Sequence, residues 1–198
     1  SEGEFFSPIV IVPKKGGKLR LCIDFRDLNK VTTLYPHPLP RLDDCLGDLG
    51  GCIYFATLDL SKGFHQIPLE NKSADLTSFK TPSGLFKYEM MPFGLVNAPS
   101  HFQFVMNRVL QGLIVPVCLV YIDDVLIFGK SKDEFTINLE LVLNRIKAYG
   151  LKLNPKKCLI GFQSLEFLGF VISKFGKEIS PSRILFQIAL LFATTCED

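Results

Sequence analysis

The sequence contains no C-x-x-C pair; its six cysteines (Cys22, Cys45, Cys52, Cys118, Cys158 and Cys196) are scattered along the chain. That spacing argues against a thiol zinc site or a dithiol redox motif. Most of these residues sit among apolar neighbours, as reduced core thiols do, so an intracellular protein is expected. Histidine is scarce, and His37, His65 and His101 show neither H-E-x-x-H nor zinc-knuckle spacing. Net charge is low, +2, too small on its own to point to nucleic acid. No signal peptide is expected from the sequence given. The longest apolar stretch near an end, 184–193, is interrupted by Gln187 and too short to cross a bilayer, so no membrane partner is expected. Repeats and low-complexity tracts are absent too. The first residue is Ser1 and not Met, so the chain is expected to come from something longer.

What is present is enough for a sizeable core. The 198 residues are 47% hydrophobic, which excludes a disordered chain and allows one domain or two small interleaved lobes. Charge is unevenly spread. Lys14, Lys15, Lys18, Arg20, Arg26 and Lys30 face only Asp24 and Asp27 over the same stretch, and Lys152, Lys156 and Lys157 form a second basic cluster. Such patches attract phosphates, although a solvated charged face accounts equally well for either one alone.

Periodicity gives the elements. Ile9–Val12 is a short β-rich run, and Lys18–Phe25 alternates, with Leu19, Leu21, Ile23 and Phe25 on one face. With Gly16-Gly17 between them, the two runs predict a hairpin with a basic face. The proline-rich stretch Tyr35–Pro40 predicts an extended connector, followed by a helix through Leu42, Cys45, Leu46 and Leu49 that Gly50-Gly51 stops. Ile53–Asp59 reads as a buried strand ending in a carboxylate. Thr77–Thr81 and Leu85–Met90 flank a turn, and a helix from about Pro99 carries Phe102, Val105, Met106, Val109, Leu110 and Leu113 on its apolar side. Ser131 and Glu134 form a capping box for a helix with Phe135, Leu139, Val142, Leu143 and Ile146 inward, ending at Gly150. Further short strands are expected over 152–172. Strands and helices mix without a βαβα rhythm, which points to an α+β fold.

Two features carry chemistry. Asp59 closes the apolar run Tyr54–Leu58, and Asp123-Asp124 sits between the apolar runs Cys118–Ile122 and Val125–Phe128. An isolated Asp-Asp is most often a solvated turn. Carboxylates abutting core strands, however, are costly unless solvated, paired or metal-bound. Three of them converging would make an oxygen-lined site for hard divalent cations. Two such ions about 3.5–4 Å apart activate a hydroxyl and stabilise a departing phosphate oxygen.

The surrounding residues add a family resemblance. Tyr121-Ile122-Asp123-Asp124 resembles the Y-x-D-D motif of reverse transcriptases, and Leu58–Ile67 resembles the motif with that family's first catalytic aspartate. Met91–Pro99 is similar to the version in Ty3/gypsy-type retrotransposons, Leu19–Asn29 resembles the fingers motif, and Phe167–Phe170 the primer-grip region. These five motifs keep the family's order and approximate spacing from about Ser7 to Ser180.

The resemblance implies a right-hand polymerase with an antiparallel palm sheet packed on helices: fingers at 1–33 and 67–97, palm at 34–66 and 98–176, an atypical tail at 177–198 and no thumb. It implies metal binding by Asp59, Asp123, Asp124 and the Leu60 carbonyl, with two Mg²⁺ ions or Mn²⁺ in their place. Lys14, Arg20, Ser61, Lys62, Gly63, Phe64 and Phe93 would bind the dNTP, with Phe64 excluding a 2′ hydroxyl. Tyr121, Leu168 and Gly169 would lie on the primer–template side. The implied partners are an RNA or DNA template with its primer, dNTPs, and other Pol domains (protease, RNase H, integrase) of a polyprotein. The implied setting is a cytoplasmic particle or the nucleus. After Ser180-Pro181-Ser182-Arg183 the apolar run Ile184–Phe192 departs from the family pattern. The competing reading is a truncated, catalytically inactive remnant that at most binds nucleic acid.

Overall fold

The structure is a computed structural model that describes residues 6–13, 17, 19–35, 37–40, 46–47 and 49–183. In chain order its elements are β1 (Ile9–Pro13), β2 (Leu19–Ile23), α1 (Arg26–Val31), β3 (Tyr54–Asp59), a 3₁₀ turn (Gly63–Gln66), α2 (Asn71–Leu76), β4 (Phe79–Thr81), β5 (Gly84–Phe86), α3 (Ala98–Val109), β6 (Cys118–Tyr121), β7 (Asp124–Gly129), α4 (Lys132–Ala148), β8 (Leu159–Phe162), β9 (Ser164–Phe167), β10 (Phe170–Ser173) and β11 (Gly176–Ile179). Every ladder between these strands is antiparallel. Two compact units result, Ser1–Pro38 with Ser61–Val105, and Leu39–Leu60 with Met106–Asp198. The helix expected from Leu42 and the tail after Arg183 lie largely or wholly outside the described residues. No helix among the described residues is long and apolar enough to cross a membrane.

In the first unit β1 pairs with β2, Ile9 opposite Ile23 and Ile11 opposite Leu21. Ile23, Phe25 and Leu28 form one buried cluster of this unit, with Ile9, Phe79, Tyr88 and Leu95 packed around them. Alternation in β2 does not mean burial, because Leu19 is 71% and Leu21 53% exposed, and only the Ile23 end enters the core. The basic stretch is also less basic than its count suggests. Arg26 pairs with Asp24 at 2.6 Å and Lys30 with Asp27 at 2.8 Å. The second hairpin is shorter than its sequence signal, since Thr77 and Ser78 turn their hydroxyls onto the Ala74 and Asp75 carbonyls and finish α2 instead.

The second unit is built on the sheet β6-β7-β3-β8. The central strand β3 is apolar on both faces, with Phe55, Ala56 and Leu58 essentially inaccessible, so its sequence is a continuous apolar run. Phe55, Leu126 and Phe128 share a core cluster with Phe167 and Ile172 of the three-stranded sheet β11-β10-β9. Along β8 the register with β3 slips between Phe55 and Ala56, where Gly161, at φ +80°, takes up the extra residue.

The capping box opens α4 as expected at Ser131, whose hydroxyl accepts from the Glu134 N–H at 3.2 Å. The return bond reaches one residue further out: Glu134 Oε2 accepts from the Lys130 N–H, not that of Ser131. Gly150, at φ +72°, ends the helix in a Schellman turn, with Leu151 N–H on the Ile146 carbonyl and Gly150 N–H on that of Lys147. A polar residue joins the buried stripe, Asn138, whose amide donates to the Phe128 carbonyl at 2.9 Å.

The start of α4 crosses the end of β7 so closely that a Cβ on Gly129 would meet Phe135 N at 2.6 Å and Cα at 2.7 Å. Both are backbone atoms and cannot rotate away. Gly129→Ala is expected to destabilise the protein by about 1–3 kcal/mol, seen as a drop in thermal midpoint of roughly 2–4 °C per kcal/mol.

Candidate active site

The sheet register brings two of the candidate carboxylates face to face. Asp59 is the last residue of β3, Asp124 the first of β7, and they are cross-strand partners. Cross-strand partners point to the same face, here the face of Thr57, Leu126, Phe55 and Phe128, so both carboxylates stand at the end of one core layer. Tyr121 of β6 is the other partner of Asp124. Between Tyr121 and Asp124 lies a two-residue turn of Ile122 and Asp123. Ile122 is left-handed at φ 56°, a conformation that costs a β-branched residue and recurs where strain serves a site.

Charge crowds this end of the sheet. Burial, then the charges of Asp123 and Asp59, push the Asp124 carboxyl up to about 6, against the opposing pull of Lys157. Lys157 donates from Nζ to Asp59 Oδ2 at 2.9 Å. That bond, followed by the charges of Asp59, Asp123 and Asp124, raises the ammonium above its ordinary value. The lysine is held there by backbone: Leu60 bridges Leu153, Asn154 N–H donates to the Asp59 carbonyl at 2.9 Å, and Lys157 N–H donates to Asn154 O at 3.0 Å.

Among the described residues no group of three or more His, Cys, Asp or Glu side chains is placed to hold a metal ion. The three carboxylates nevertheless share one end of the sheet, close enough for Asp123 and Asp59 both to act on the Asp124 carboxyl. Asp59 and Asp124 face each other, Asp123 occupies the turn, and one oxygen of Asp59 is engaged by Lys157. Three like charges at one end of the sheet repel, and the Lys157 ammonium offsets part of that repulsion. The donor chemistry still fits a hard divalent ion: carboxylate oxygens, one of them with its ionised form disfavoured by its neighbours.

Without added divalent metal, the raised Asp124 carboxyl links stability to pH. The folded Asp124 binds its proton more tightly than the unfolded chain, so between about pH 4 and pH 6 stability falls as pH rises and levels off above. Asp124→Asn is expected to remove this component. Thermal midpoints of the two proteins should diverge from pH 4 to pH 6.5, with the variant the more stable at the upper end; parallel profiles would contradict the assignment.

The remaining second-unit candidates, Leu168 and Gly169, form the β9–β10 turn, both left-handed at φ 52° and 78°. Both central residues at positive φ match a tight hairpin turn. Gly169 O accepts from Ser180 N–H at 3.0 Å, and the Arg183 guanidinium lies 4.7 Å above the Phe170 ring.

In the first unit, Lys62, at φ 55°, caps the 3₁₀ turn Gly63–Gln66, and Ser61 O accepts from the Gln66 amide at 2.8 Å. Gly63 is buried. The half-buried Phe64 ring lies 4.9 Å from that of Phe93 and 5.3 Å from that of Phe102. Phe93 itself is 55% exposed. Arg20 stands exposed on β2 opposite Val12, and Lys14 lies outside the described residues. Sequence reading placed Lys157 in a basic cluster and missed its link to Asp59. No local signal marks a pairing across 98 residues.

Residues 12–172 match the family model described as reverse transcriptase (RNA-dependent DNA polymerase). The chain belongs to the reverse transcriptase family. This reverse transcriptase chain is 41% identical over 189 residues to the retrovirus-related Pol polyprotein from transposon 297 of Drosophila melanogaster, covering 93% of the chain and 18% of the relative. It is 34% identical to the transposon Tf2-3 polyprotein of Schizosaccharomyces pombe, covering 85% of the chain and 13% of the relative. Both relatives are of the Ty3/gypsy type of LTR retrotransposon. The chain thus spans less than a fifth of the length of these curated relatives.

Among solved structures, the foamy viral protease-reverse transcriptase in complex with an RNA/DNA hybrid matches with a TM-score of 0.81 and 27% identity, over 89% of this chain and 24% of that one. The same viral protein in its dRH form with double-stranded DNA matches with a TM-score of 0.83 and 27% identity, over 92% and 32%. The fold is accordingly the mixed helix and antiparallel sheet of polymerase fingers and palm. Reverse transcriptases normally use divalent metal ions.

Proposed function

We propose that this chain is an RNA-directed DNA polymerase domain, a nucleotidyltransferase that adds dNTPs to a primer 3′ end on an RNA or DNA template. The observation that carries it is Asp59 opposite Asp124 across the β3–β7 ladder with Asp123 in the adjoining turn, in a chain of this family. Asp59, Asp123, Asp124 and the Leu60 carbonyl would hold two Mg²⁺ ions, or Mn²⁺. When bound, such ions make a 3′ hydroxyl more acidic and stabilise charge on the leaving pyrophosphate.

The chain's own residues do the rest. Lys14 and Arg20 grip the triphosphate as point charge and forked donor. The backbone of Ser61, Lys62 and Gly63 approaches the same phosphates, the lack of a side chain at Gly63 allowing close contact. Phe64 blocks a 2′ hydroxyl, Phe93 and Tyr121 line the nucleotide and primer side, and the Leu168–Gly169 turn orients the primer end. In this reading 1–33 and 67–97 act as fingers and 34–66 and 98–176 as palm.

The foamy viral relatives are seen with RNA/DNA hybrid and with double-stranded DNA, which supports the same duplexes as partners here. The relatives are Pol polyproteins, which supports a place within a longer polyprotein; protease, RNase H and integrase as companion domains, and a cytoplasmic particle or the nucleus as the setting, are part of the same proposal. The test is extension of an oligo(dT) primer on poly(rA) with dTTP. Mg²⁺-dependent products that a chelator abolishes are expected. Binding of the duplex without any extension would favour the inactive-remnant reading.

A further inference from the structure

Phe93 is largely exposed, yet its backbone is not free to move. It stands in the loop between Met91, whose N–H donates to the Ile67 carbonyl at 2.8 Å, and the start of α3. Two asparagines clamp this loop from opposite directions. Asn29 of α1 donates from Nδ2 to Gly94 O at 2.8 Å and accepts at Oδ1 from Val96 N–H at 2.9 Å. Asn97 donates from Nδ2 to Thr33 O at 2.8 Å and accepts at Oδ1 from Tyr35 N–H at 2.9 Å.

Each amide uses one donor and one acceptor on main-chain groups two residues apart. Aspartate lacks that donor, so the pattern demands an amide. Gly94 suits the loop through its backbone: at φ +97° it adopts a conformation that residues with a side chain rarely take. The loop is therefore fixed on both sides of Phe93. The Phe93 ring in turn touches Phe64 at 4.9 Å and His65 at 5.3 Å.

We infer that Asn29 is a positioning residue for sugar discrimination: its amide fixes the Phe93 loop, and the Phe93 ring fixes Phe64. Asn97 fastens the far end of the same loop. A steric gate discriminates only if the gating ring cannot yield, and a ring packed against a pinned neighbour cannot. The inference rests on the proposed role of Phe64, and the experiment separates the two.

The chain has no tryptophan, so Phe93→Trp places a single emitter in the loop. Adding Asn29→Ala to Phe93→Trp should shift emission to the red and raise acrylamide quenching; Asn29→Asp, which keeps the Val96 bond, should give a smaller change and covers the case in which alanine impairs folding. Unchanged quenching in both overturns the inference. In primer extension, Asn29→Asp or Ala should reduce dTTP-over-UTP selection by about five- to tenfold, the worth of one or two hydrogen bonds. It should act through the KM for UTP and add nothing further in a Phe64→Val background. If Phe64→Val relaxes selection and the Asn29 variants do not, the inference fails. If Phe64→Val itself leaves selection unchanged, the gate reading fails, and with it the role assigned to Asn29.

Discussion

Asp123→Asn is expected to reduce Mg²⁺-dependent extension by about 10²–10³-fold or more, the loss of several kcal/mol of transition-state stabilisation, while the fold stays intact. Structural tolerance follows from position. Asp123 lies in the two-residue turn between β6 and β7, outside the ladder, and asparagine is as suited to turns as aspartate. The substitution also removes one of the charges that raise the Asp124 carboxyl, so stability should hold or rise slightly. Circular dichroism and thermal midpoint check the fold, and gel-resolved primer extension checks activity. Extension at an undiminished rate would remove Asp123 from the proposed metal site.

Phe64→Val should admit ribonucleotides. The ring at 64 is half-buried against Phe93 and Phe102, and valine withdraws most of it while keeping an apolar contact. Relief of a steric block is expected to lower dNTP-over-rNTP discrimination by about 10–100-fold. A plain packing residue behaves differently. Truncating a buried phenylalanine costs roughly 3–5 kcal/mol, and a half-exposed one less, with discrimination unchanged. Measuring kcat/KM for dTTP and UTP beside the thermal midpoint separates the two outcomes.

Much of this site was legible in the sequence because its elements are local. The run Tyr54–Leu58 could be placed only as a buried strand, and Asp59 follows it without a break. The runs on either side of Asp123-Asp124 predicted a hairpin with both carboxylates at its turn; the structure keeps Asp123 in the turn and makes Asp124 the first ladder residue of β7. Ser131, Glu134 and Gly150 marked both ends of α4 by side-chain and backbone chemistry that needs no partner elsewhere. What stayed hidden depends on distant partners. Lys157 meets Asp59 only because Leu153 and Asn154 are stitched to the end of β3. Asn138, polar in a helix, is buried because a strand carbonyl waits opposite. Asn29 and Asn97 look like ordinary loop and helix-end residues until the loop they clamp is seen. The exposed Leu19 and Leu21 show the converse: period two identifies a strand face and not what covers it.

The proposed divalent-metal site of Asp59, Asp123 and Asp124 is tested by a Mn²⁺ titration followed by electron paramagnetic resonance. The protein would be held with a primer–template whose 3′ end is blocked and the matching dNTP. Two ions bound per chain are predicted, with binding lost or greatly weakened in both Asp59→Asn and Asp123→Asn at unchanged duplex affinity. Mn²⁺ binding in those variants equal to that of the unaltered chain would contradict the account.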